Sequence, residues 1–300
     1  MEQEKYRYKV RVSCITYNHA AFIEDAMNGF CMQETSFPFV CTIVDDASSD
    51  GEQEVIKKYM EEHFNLDDTS VFRKEETADY FLTYAQHKTN KNCYFAALFL
   101  KYNHRSVKKP KNKYLKEWND TSKFIALCEG DDYWIDPQKL QLQVSFLENH
   151  QDFSMSFHEC STTSGREFYS YPLSDTLTAK DIILRHMIPT ASLVFNRHFA
   201  KKIKNFNLSF GDIPIEIQLA LQGKVHFLPR KMSCYRDNNS NSITHNKEQM
   251  KKGVKDSVLL YYYLLKYYPL NKYSIFLFYR LCRSILLFPK NYFRVNYLIK

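Results

Sequence analysis

The stretch Phe124-Ile125-Ala126-Leu127-Cys128-Glu129-Gly130-Asp131-Asp132-Tyr133-Trp134 decides the fold of this 300-residue chain. Five apolar residues lead directly into three carboxylates and a glycine, and two large aromatic residues follow. An apolar run that ends in this way is typical of a strand buried on both faces, as in a parallel sheet. The carboxylates would then lie at the carboxyl end of the strand, where open α/β sheets bind their ligands.

These three carboxylates repel one another unless a cation lies between them. Hard divalent cations take oxygen ligands, and Mg²⁺ usually binds through one or two carboxylates together with substrate phosphates. The sequence therefore predicts a metal and phosphate site at residues 129–132. The alternative is a solvated acidic turn that caps the helix predicted to begin near Asp136-Pro137.

The opening of the chain alternates between strand and helix patterns. The predicted elements are a strand over Lys9–Thr16, a helix over Ala20–Gln33, a strand over Phe39–Val44 and a helix over Glu52–His63. This order predicts a parallel sheet with right-handed crossovers. The two strands end in Thr16-Tyr17-Asn18 and in Asp45-Asp46, so these polar residues should share one edge of the sheet. Capping of the next helix is the alternative role for the two aspartates.

Four later segments also carry a clear pattern. The apolar run Asn92–Tyr102 predicts a buried helix, and Phe153–His158 predicts a strand. Val225–Leu228 and Lys231–Arg236 predict a β-pair. Asp212 begins a predicted helix that ends near Gln222, and capping alone would explain an aspartate there.

Residues Arg105–Asp120 are basic and contain a proline, which predicts an exposed insertion. Its lysines are interpreted as a solvated surface; a role in neutralising phosphates is the weaker alternative.

Composition excludes several classes of protein. No GxxxxGK[ST] or GxGxxG motif occurs, which argues against a P-loop or a dinucleotide-binding domain. The eight cysteines are scattered without a CxxC pair, which indicates a reducing compartment and no zinc site. Neither a signal peptide nor an apolar run of about 18 residues is found. We therefore expect a cytoplasmic protein.

The basic character of the chain belongs to its tail. The interval 251–300 contains roughly ten Lys/Arg and one acid, which is unlike the diffuse basicity of nucleic-acid-binding proteins. We expect a main domain over 1–245 and a helical extension over 246–300. Tyr273–Phe288 is strongly apolar but is interrupted by Arg280 and Arg283. Two interpretations remain open: a helix at the inner face of the cell membrane, or a helix that packs its apolar side on the domain.

Three blocks of this sequence resemble the family 2 glycosyltransferases of the GT-A fold. They are Val12–Asn18, Val44–Gly51 and Glu129–Trp134, the last being the EGDDYW form of the family's DxD motif. Their order and spacing match the family and cover the first half of the chain. The second half resembles it more loosely, through Gly211-Asp212-x-Pro214 and Tyr235-Arg236.

This resemblance implies a fold and an activity. The fold would be α/β, with a mostly parallel central sheet flanked by helices and a C-terminal helical extension. The activity would be metal-dependent transfer of a sugar, with inversion, from a nucleotide-sugar such as a UDP-sugar. The acceptor would be a hydroxyl of a glycan or of a lipid-linked molecule in polysaccharide or cell-envelope synthesis, and the metal would be Mg²⁺ or Mn²⁺.

The resemblance also implies roles for individual residues. Asp212 would be the catalytic base, and Asp131 and Asp132 would hold the metal. Thr190 and Ser192 would line the acceptor side. The residues implied to bind the nucleotide-sugar are Thr16, Tyr17, Asn18, Asp45, Asp46, Glu129 and Asp131.

The sequence departs from the family pattern at two positions. The first acid of the DxD motif is Glu129, and Asn238 stands where many relatives have a histidine. His226 or His245 would replace that histidine, or the metal would take more water. Two rival functions stay open: a sugar-phosphate nucleotidyltransferase, and a nucleotide-sugar-binding protein without catalysis.

Overall fold

The computed structural model describes residues 6–169, 172–185, 188–237, 247–269 and 271–298. Its strands are β1 (Tyr8–Thr16), β2 (Phe39–Asp45), β3 (Phe72–Glu76), β4 (Tyr80–Gln86), β5 (Cys93–Leu100), β6 (Ser122–Leu127), β7 (Tyr133–Trp134), β8 (Phe153–Thr162), β9 (Thr176–Leu177), β10 (Val194–Asn196) and β11 (Lys224–Tyr235).

Its helices are α1 (Ile23–Cys31), α2 (Glu52–His63), α3 (Lys116–Asp120), α4 (Lys139–Asn149), α5 (Ala179–Arg185), α6 (Arg197–Ala200), α7 (Asp212–Ala220), α8 (Lys247–Tyr267) and α9 (Ser274–Leu298). Two short 3₁₀ turns cover Asn112–Leu115 and Thr190–Ser192.

One sheet joins all these strands in the order β3-β4-β5-β2-β1-β6-β10-β8-β11-β7, with β9 paired to β11. Its centre is parallel: β5 pairs with β2, β2 with β1, and β1 with β6. Antiparallel strands extend the sheet on both sides. Because these strands are covered on both faces, β2 and β5 are nearly continuous apolar runs. In β1, by contrast, apolar residues alternate with Lys9, Arg11 and Ser13.

Helices cover both faces of the sheet. On one face, α1, α2 and α4 bury residues such as Ile23, Ile56 and Leu140 against the central strands. On the other face, α5, α7, α8 and α9 build a second core around Ile182 and Ile217. The result is a helix–sheet–helix arrangement, as the sequence predicts.

Two predicted elements are wrong. Asn92–Tyr102 contains the strand β5, not a helix, and this strand lies between β2 and β4. A short apolar run fits a buried helix and a buried strand equally well, so its periodicity could not decide. Val225–Leu228 and Lys231–Arg236 do not form a β-pair: both belong to the single irregular strand β11, which runs parallel to β8.

The basic insertion is less exposed than predicted. Its Leu115 and Trp118 are buried in a small cluster with Tyr8, Val40 and residues of β4 and β5. The insertion therefore covers part of the sheet, and this places its basic residues near the edge where β1 and β2 end.

No helix in the described part of the chain is both long and apolar enough to cross a membrane.

The turn after β6 depends on the small size of Gly130. A Cβ atom at this position would lie 2.1 Å from Thr16 Oγ1 and 2.6 Å from Thr16 Cβ. The turn that carries the acidic motif is thus pressed directly against the end of β1, and only glycine leaves room for this contact.

We expect Gly130→Ala to lower the free energy of unfolding by about 2 kcal/mol or more, because overpacking forces the turn away from Thr16. Gly253→Ala is the control: apart from its chain neighbours and the nearby backbone of α8, no atom lies within 4 Å of its Cβ position, and alanine favours helix by about 1 kcal/mol over glycine. Urea denaturation of both variants measures the difference. Equal stability of Gly130→Ala and the wild type would contradict the close packing.

Candidate active site at the carboxyl edge of the sheet

The parallel register brings the predicted site residues to one edge of the sheet. Thr16 and Asp45, the last residues of β1 and β2, are register partners. Beyond β6, the Cys128 amide donates to the Ser13 carbonyl at 3.2 Å, so the acidic turn continues beside the end of β1. The ends of β1, β2 and β6 therefore form one rim.

The loop after β1 is held in a shape that leaves Tyr17 open. Asn18 has a φ of 56°, in the left-handed region that asparagine tolerates. Its Oδ1 accepts a hydrogen bond from the Ser49 amide at 2.9 Å, which ties this loop to the loop after β2. The Tyr17 side chain is 45% exposed at this rim. Asn18 shapes the rim, and Tyr17 is free to contact a ligand.

A buried carboxylate that no sequence pattern indicated lies beneath Thr16. Glu52, the first residue of α2, is fully buried. It accepts hydrogen bonds from the Thr16 hydroxyl, the His19 amide and the Ser48 hydroxyl. Burial raises the pKa of Glu52, and these donors oppose the rise. Glu52 thus fixes the loops after β1 and β2 together.

The two aspartates after β2 have different surroundings. Asp45 is buried and accepts from the Ser48 amide and from Gln53 Nε2, and burial raises its pKa. Asp45 therefore stabilises the turn. Its neighbour Asp46 faces the basic insertion instead.

Asp46 is held by residues 104–111. Its Oδ1 accepts from the His104 amide at 2.8 Å and its Oδ2 from the Arg105 amide at 3.2 Å. Lys111 Nζ lies 2.8 Å from Oδ2, and both side chains are largely shielded from solvent. Asp46 thus anchors the insertion at the rim.

Arg105, Glu129 and Asp212 act on one another although they come from three separate segments. The pKa of Glu129 is raised to about 7, first by desolvation and then by repulsion from Asp131 and Asp212, while Arg105 opposes the rise. Because Glu129 is exposed to solvent, water offsets part of the desolvation, and the repulsion from the two aspartates persists. The Asp212 carboxylate therefore lies close enough to the acidic motif to repel Glu129.

Asp132 is the buried member of the motif. Its side chain is only 5% exposed, and its Oδ1 accepts from the Arg236 amide at 3.0 Å. Burial, with repulsion from Asp131 and Glu129, raises its pKa to about 8. A carboxylate in this position retains its proton at neutral pH unless a cation arrives.

Asp131 is the more accessible neighbour. Its Oδ2 lies 3.8 Å from His19 Nε2, and about a fifth of its side chain is exposed. His19 also contacts the Thr16 hydroxyl through Nδ1 at 3.1 Å. The His19 ring therefore lies between the end of β1 and the acidic turn.

Trp134 connects the acidic motif to the opposite side of the site. Its indole N–H donates to the Ala191 carbonyl at 2.8 Å. This bond fixes the Thr190–Ser192 turn, and the Thr190 hydroxyl lies 3.4 Å from Asp212 Oδ2. Displacing Trp134 would therefore move both Thr190 and its contact with Asp212.

Asp212 does not cap α7. The capping position is Gly211, and no side chain caps the helix. The Asp212 carboxylate instead contacts the Thr190 hydroxyl and repels the charge of Glu129. Capping therefore does not explain this aspartate.

Ser192 does not line the acceptor side. It is fully buried, and its hydroxyl donates to the Pro189 carbonyl at 2.6 Å. Thr190 alone of this pair remains near the site.

The described residues contain no group of three or more His, Cys, Asp or Glu side chains that could hold a metal ion.

The prediction that His226 replaces the missing histidine is wrong. Its ring stacks on Phe146 and contacts the Ser156 hydroxyl, near the start of β11. Arg236, which reaches the acidic turn, follows the far end of this strand, about 30 Å away at 3.3 Å per residue. His245 and Asn238 lie outside the described residues.

The structure adds cations that the sequence did not reveal. Lys111 and Arg105 meet the rim only because the insertion folds back over β2. The basic composition of Arg105–Asp120 was the available signal, but it could not show which cations turn inward.

No known protein-family model matches the chain. Among curated proteins, the chain is similar to uncharacterized proteins of Mycobacterium bovis and Mycobacterium tuberculosis, at 27% identity over 227 residues. The match covers 74% of this chain and 57% of each relative, so the chain spans a little more than half their length.

Solved glycosyltransferase structures share the fold. S. aureus TarS, residues 1–349, superposes with a TM-score of 0.61 at 16% identity, covering 96% of this chain and 73% of that one. Its complex with UDP gives 0.60 at 16% identity, covering 93% and 71%. The mannosyltransferase PcManGT of Pyrobaculum calidifontis, solved with GDP-Man and Mn²⁺, gives 0.59 at 12% identity, covering 98% and 74%. The predicted α/β fold, with a central sheet, flanking helices and C-terminal helices, is confirmed.

Proposed function

We propose that this protein is an inverting glycosyltransferase, which moves a sugar from a nucleotide-sugar to an acceptor hydroxyl. The observation that carries the proposal is that the acidic turn after β6 meets the end of β1 through His19 and Thr16, and is linked to Asp212 through Trp134 and Thr190, at the carboxyl edge of parallel strands. The likeness of fold to TarS and to PcManGT supports it, as does the resemblance of the three sequence blocks to family 2 enzymes.

The donor would lie along the rim from Tyr17 to the acidic turn. Tyr17 is open to contact the base, and Asp46, paired with Lys111, would lie at the nucleoside side. Arg105 would face the diphosphate, because fixed cations stabilise charge that develops on a leaving group. We propose that the nucleotide of the donor is UDP. Because TarS was solved with UDP and PcManGT with GDP-Man, binding experiments should compare UDP-sugars with GDP-sugars.

The described residues fit a divalent cation only in part, since they supply carboxylates but no group of three ligands. Asp131 would be the accessible ligand and Asp132 the buried one, and donor phosphates and water would complete the shell. When bound, Mg²⁺ or Mn²⁺ would offset the negative charge on the departing diphosphate. Asp132 would give up its proton in exchange, because metal binding requires the ionised carboxylate.

Asp212 would act as the general base. It would take the proton of the acceptor hydroxyl while that oxygen forms a bond to the anomeric carbon. The bond from this carbon to the diphosphate oxygen breaks on the opposite side, so the configuration inverts and the nucleoside diphosphate leaves with the bonding electrons. The hydroxyl of Thr190 lies beside Asp212 and would help to orient the carboxylate.

The acceptor in this proposal is a hydroxyl of a glycan or of a lipid-linked molecule. A lipid-linked acceptor would require the protein to reach a membrane surface, and residues 251–300 would provide that contact.

We expect wild-type protein to bind UDP-sugars with an affinity that Mn²⁺ increases, and Arg105→Ala to weaken this binding about tenfold by removing a cation from the diphosphate. Lys113→Ala is the matched control, because Lys113 belongs to the same insertion but is half exposed and pairs with Asp79 instead of reaching the rim. Isothermal calorimetry with UDP- and GDP-sugars measures both variants. Equal affinities of the two variants would remove Arg105 from the donor site.

Asp212→Asn should lower the transfer rate by about 10²–10⁴-fold and leave donor affinity nearly unchanged, since general-base catalysis contributes to the reaction and not to donor binding. Asp181→Asn is the control, because Asp181 also lies in the first turn of its helix but accepts local bonds from Thr178. Turnover of a labelled nucleotide-sugar panel is the measurement. Normal turnover by Asp212→Asn would show that another group is the base. Consumption of a nucleoside triphosphate with release of pyrophosphate would indicate a nucleotidyltransferase instead.

Asp132→Asn should stabilise the ligand-free protein in EDTA. The pKa of Asp132 is near 8 in the folded protein and about 3.9 in the unfolded chain. The folded protein therefore holds this proton more tightly, and the stability that the protonated carboxyl contributes is complete below about pH 3.9 and is lost as pH rises through 8. A neutral side chain avoids this loss, so the melting temperature should rise by about 2 °C or more at pH 9. Scanning calorimetry from pH 4 to pH 9 measures it, with the exposed Asp68→Asn as control. A lower melting temperature for Asp132→Asn at pH 9 would contradict the burial of an uncompensated carboxylate.

A further inference from the structure

The outer side of α9 carries an exposed apolar stripe. Ile275, Phe278 and Leu286 are 71%, 59% and 78% exposed, and Tyr279 and Ile285 are each more than half exposed. At 100° per residue these five side chains fall within an arc of about 120°. The opposite side of the helix packs inward, with Leu277 fully buried. One side of α9 thus packs on the protein core, and a second apolar side is exposed to solvent.

Arg280 does not interrupt this stripe, although the sequence suggests that it would. Its Nε donates to the Tyr261 hydroxyl at 3.1 Å and its Nη1 to the Leu184 carbonyl at 3.3 Å. The Arg280 guanidinium therefore links α9 to α8 and to the end of α5 through these two hydrogen bonds. From Ile275 to Leu286 the outer side remains apolar, with Arg283 exposed beside it.

The neighbouring helix α8 presents lysines on its exposed side. Five exposed side chains follow one another along α8 at spacings of three and four residues: Lys252, Lys255, Leu259, Tyr262 and Lys266. These spacings put all five side chains on one side of the helix. This side is therefore both basic and partly apolar.

The net positive charge of the chain is concentrated in this region. Residues 251–300 contain ten Lys/Arg and one acid, and the preceding 250 residues contain 31 Lys/Arg and 33 Asp/Glu. The formal net charge of +7 is thus the sum of +9 in residues 251–300 and −2 in the rest of the chain.

We propose that the exposed sides of α8 and α9 bind the surface of an anionic lipid bilayer. The apolar stripe of α9 would enter the boundary between headgroups and acyl chains, and the lysines of α8 would face lipid phosphates. Charge complementarity favours this occupant over a second copy of the chain, because two copies would bring two strongly basic surfaces together. The surface is inferred from exposure and charge alone and does not depend on the transfer reaction.

Flotation with lipid vesicles tests the proposal on the full chain. Wild-type protein should float with phosphatidylcholine vesicles that contain phosphatidylglycerol, and high salt should reduce this binding. Ile275→Asn/Leu286→Asn should reduce the bound fraction about tenfold or more, because both side chains are exposed and their loss removes apolar contact with lipid. The matched control is Met32→Asn/Phe81→Asn, which alters two exposed apolar side chains elsewhere.

Charge reversal separates the electrostatic contribution. Lys252→Glu/Lys266→Glu should weaken binding to anionic vesicles about tenfold or more and leave the weak binding to phosphatidylcholine unchanged. Lys58→Glu/Lys116→Glu, at two lysines exposed on other surfaces, should have little effect. Circular dichroism and calorimetry with nucleotide-sugars confirm that each variant is folded, so loss of flotation and loss of donor binding are read separately.

Two outcomes would overturn the proposal. One is equal flotation of wild-type protein and the Ile275→Asn/Leu286→Asn variant. The other is a dimer in sedimentation without lipid that this variant abolishes while wild-type protein fails to float. The second outcome would assign the stripe to a second copy of the chain.

Discussion

The structure depends on the parallel pairing of β1 with both β2 and β6. This pairing sets the Thr16–Asp45 register and brings the turn after β6 against Thr16 through Gly130. Because parallel strands end on the same side of a sheet, residues separated by more than a hundred positions meet at one rim. The same geometry forces carboxylates into proximity, and this repulsion is the main electrostatic problem of the fold.

The carboxylates at this rim fall into two groups with different surroundings. Some carboxylates accept bonds from several nearby donors: Glu52 accepts from Thr16, Ser48 and His19, which oppose the rise in its pKa on burial, and Asp46 accepts from two amides and Lys111. In the acidic motif, repulsion from neighbouring carboxylates adds to burial and raises the pKa of Glu129 to about 7 and that of Asp132 to about 8. Carboxylates that bonds already satisfy serve the architecture. Those that remain repelled are the ones that a cationic or metal-bound ligand would stabilise most, which is the arrangement common at functional sites.

The sequence predicted the parts of the fold that local pattern determines. The central strands β2 and β6 were readable because each is an apolar run that ends in polar residues, and β1 was readable because it alternates and then turns apolar; α2 was predicted with its observed bounds. Cys93–Leu100 was not readable, because an apolar run of eight residues fits both a strand and a helix, and only its position between β2 and β4 decides. The acidic motif and Asp212 could be named from the sequence. The contacts of Arg105, Lys111 and Arg280 could not, because each depends on a segment far away in the chain.

The distribution of charge separates the two surfaces of the molecule physically. The first 256 residues are formally neutral, so the net charge of this part gives an anionic nucleotide-sugar no long-range attraction. Screening limits the reach of the basic tail to about 8 Å at physiological ionic strength. Donor binding would therefore rest on local cations such as Arg105, held by Asp46, rather than on steering by the whole protein. The positive charge of residues 257–300 is then unnecessary for the chemistry of the rim. Its concentration on helices with an open apolar side is better explained by a separate, extended anionic surface.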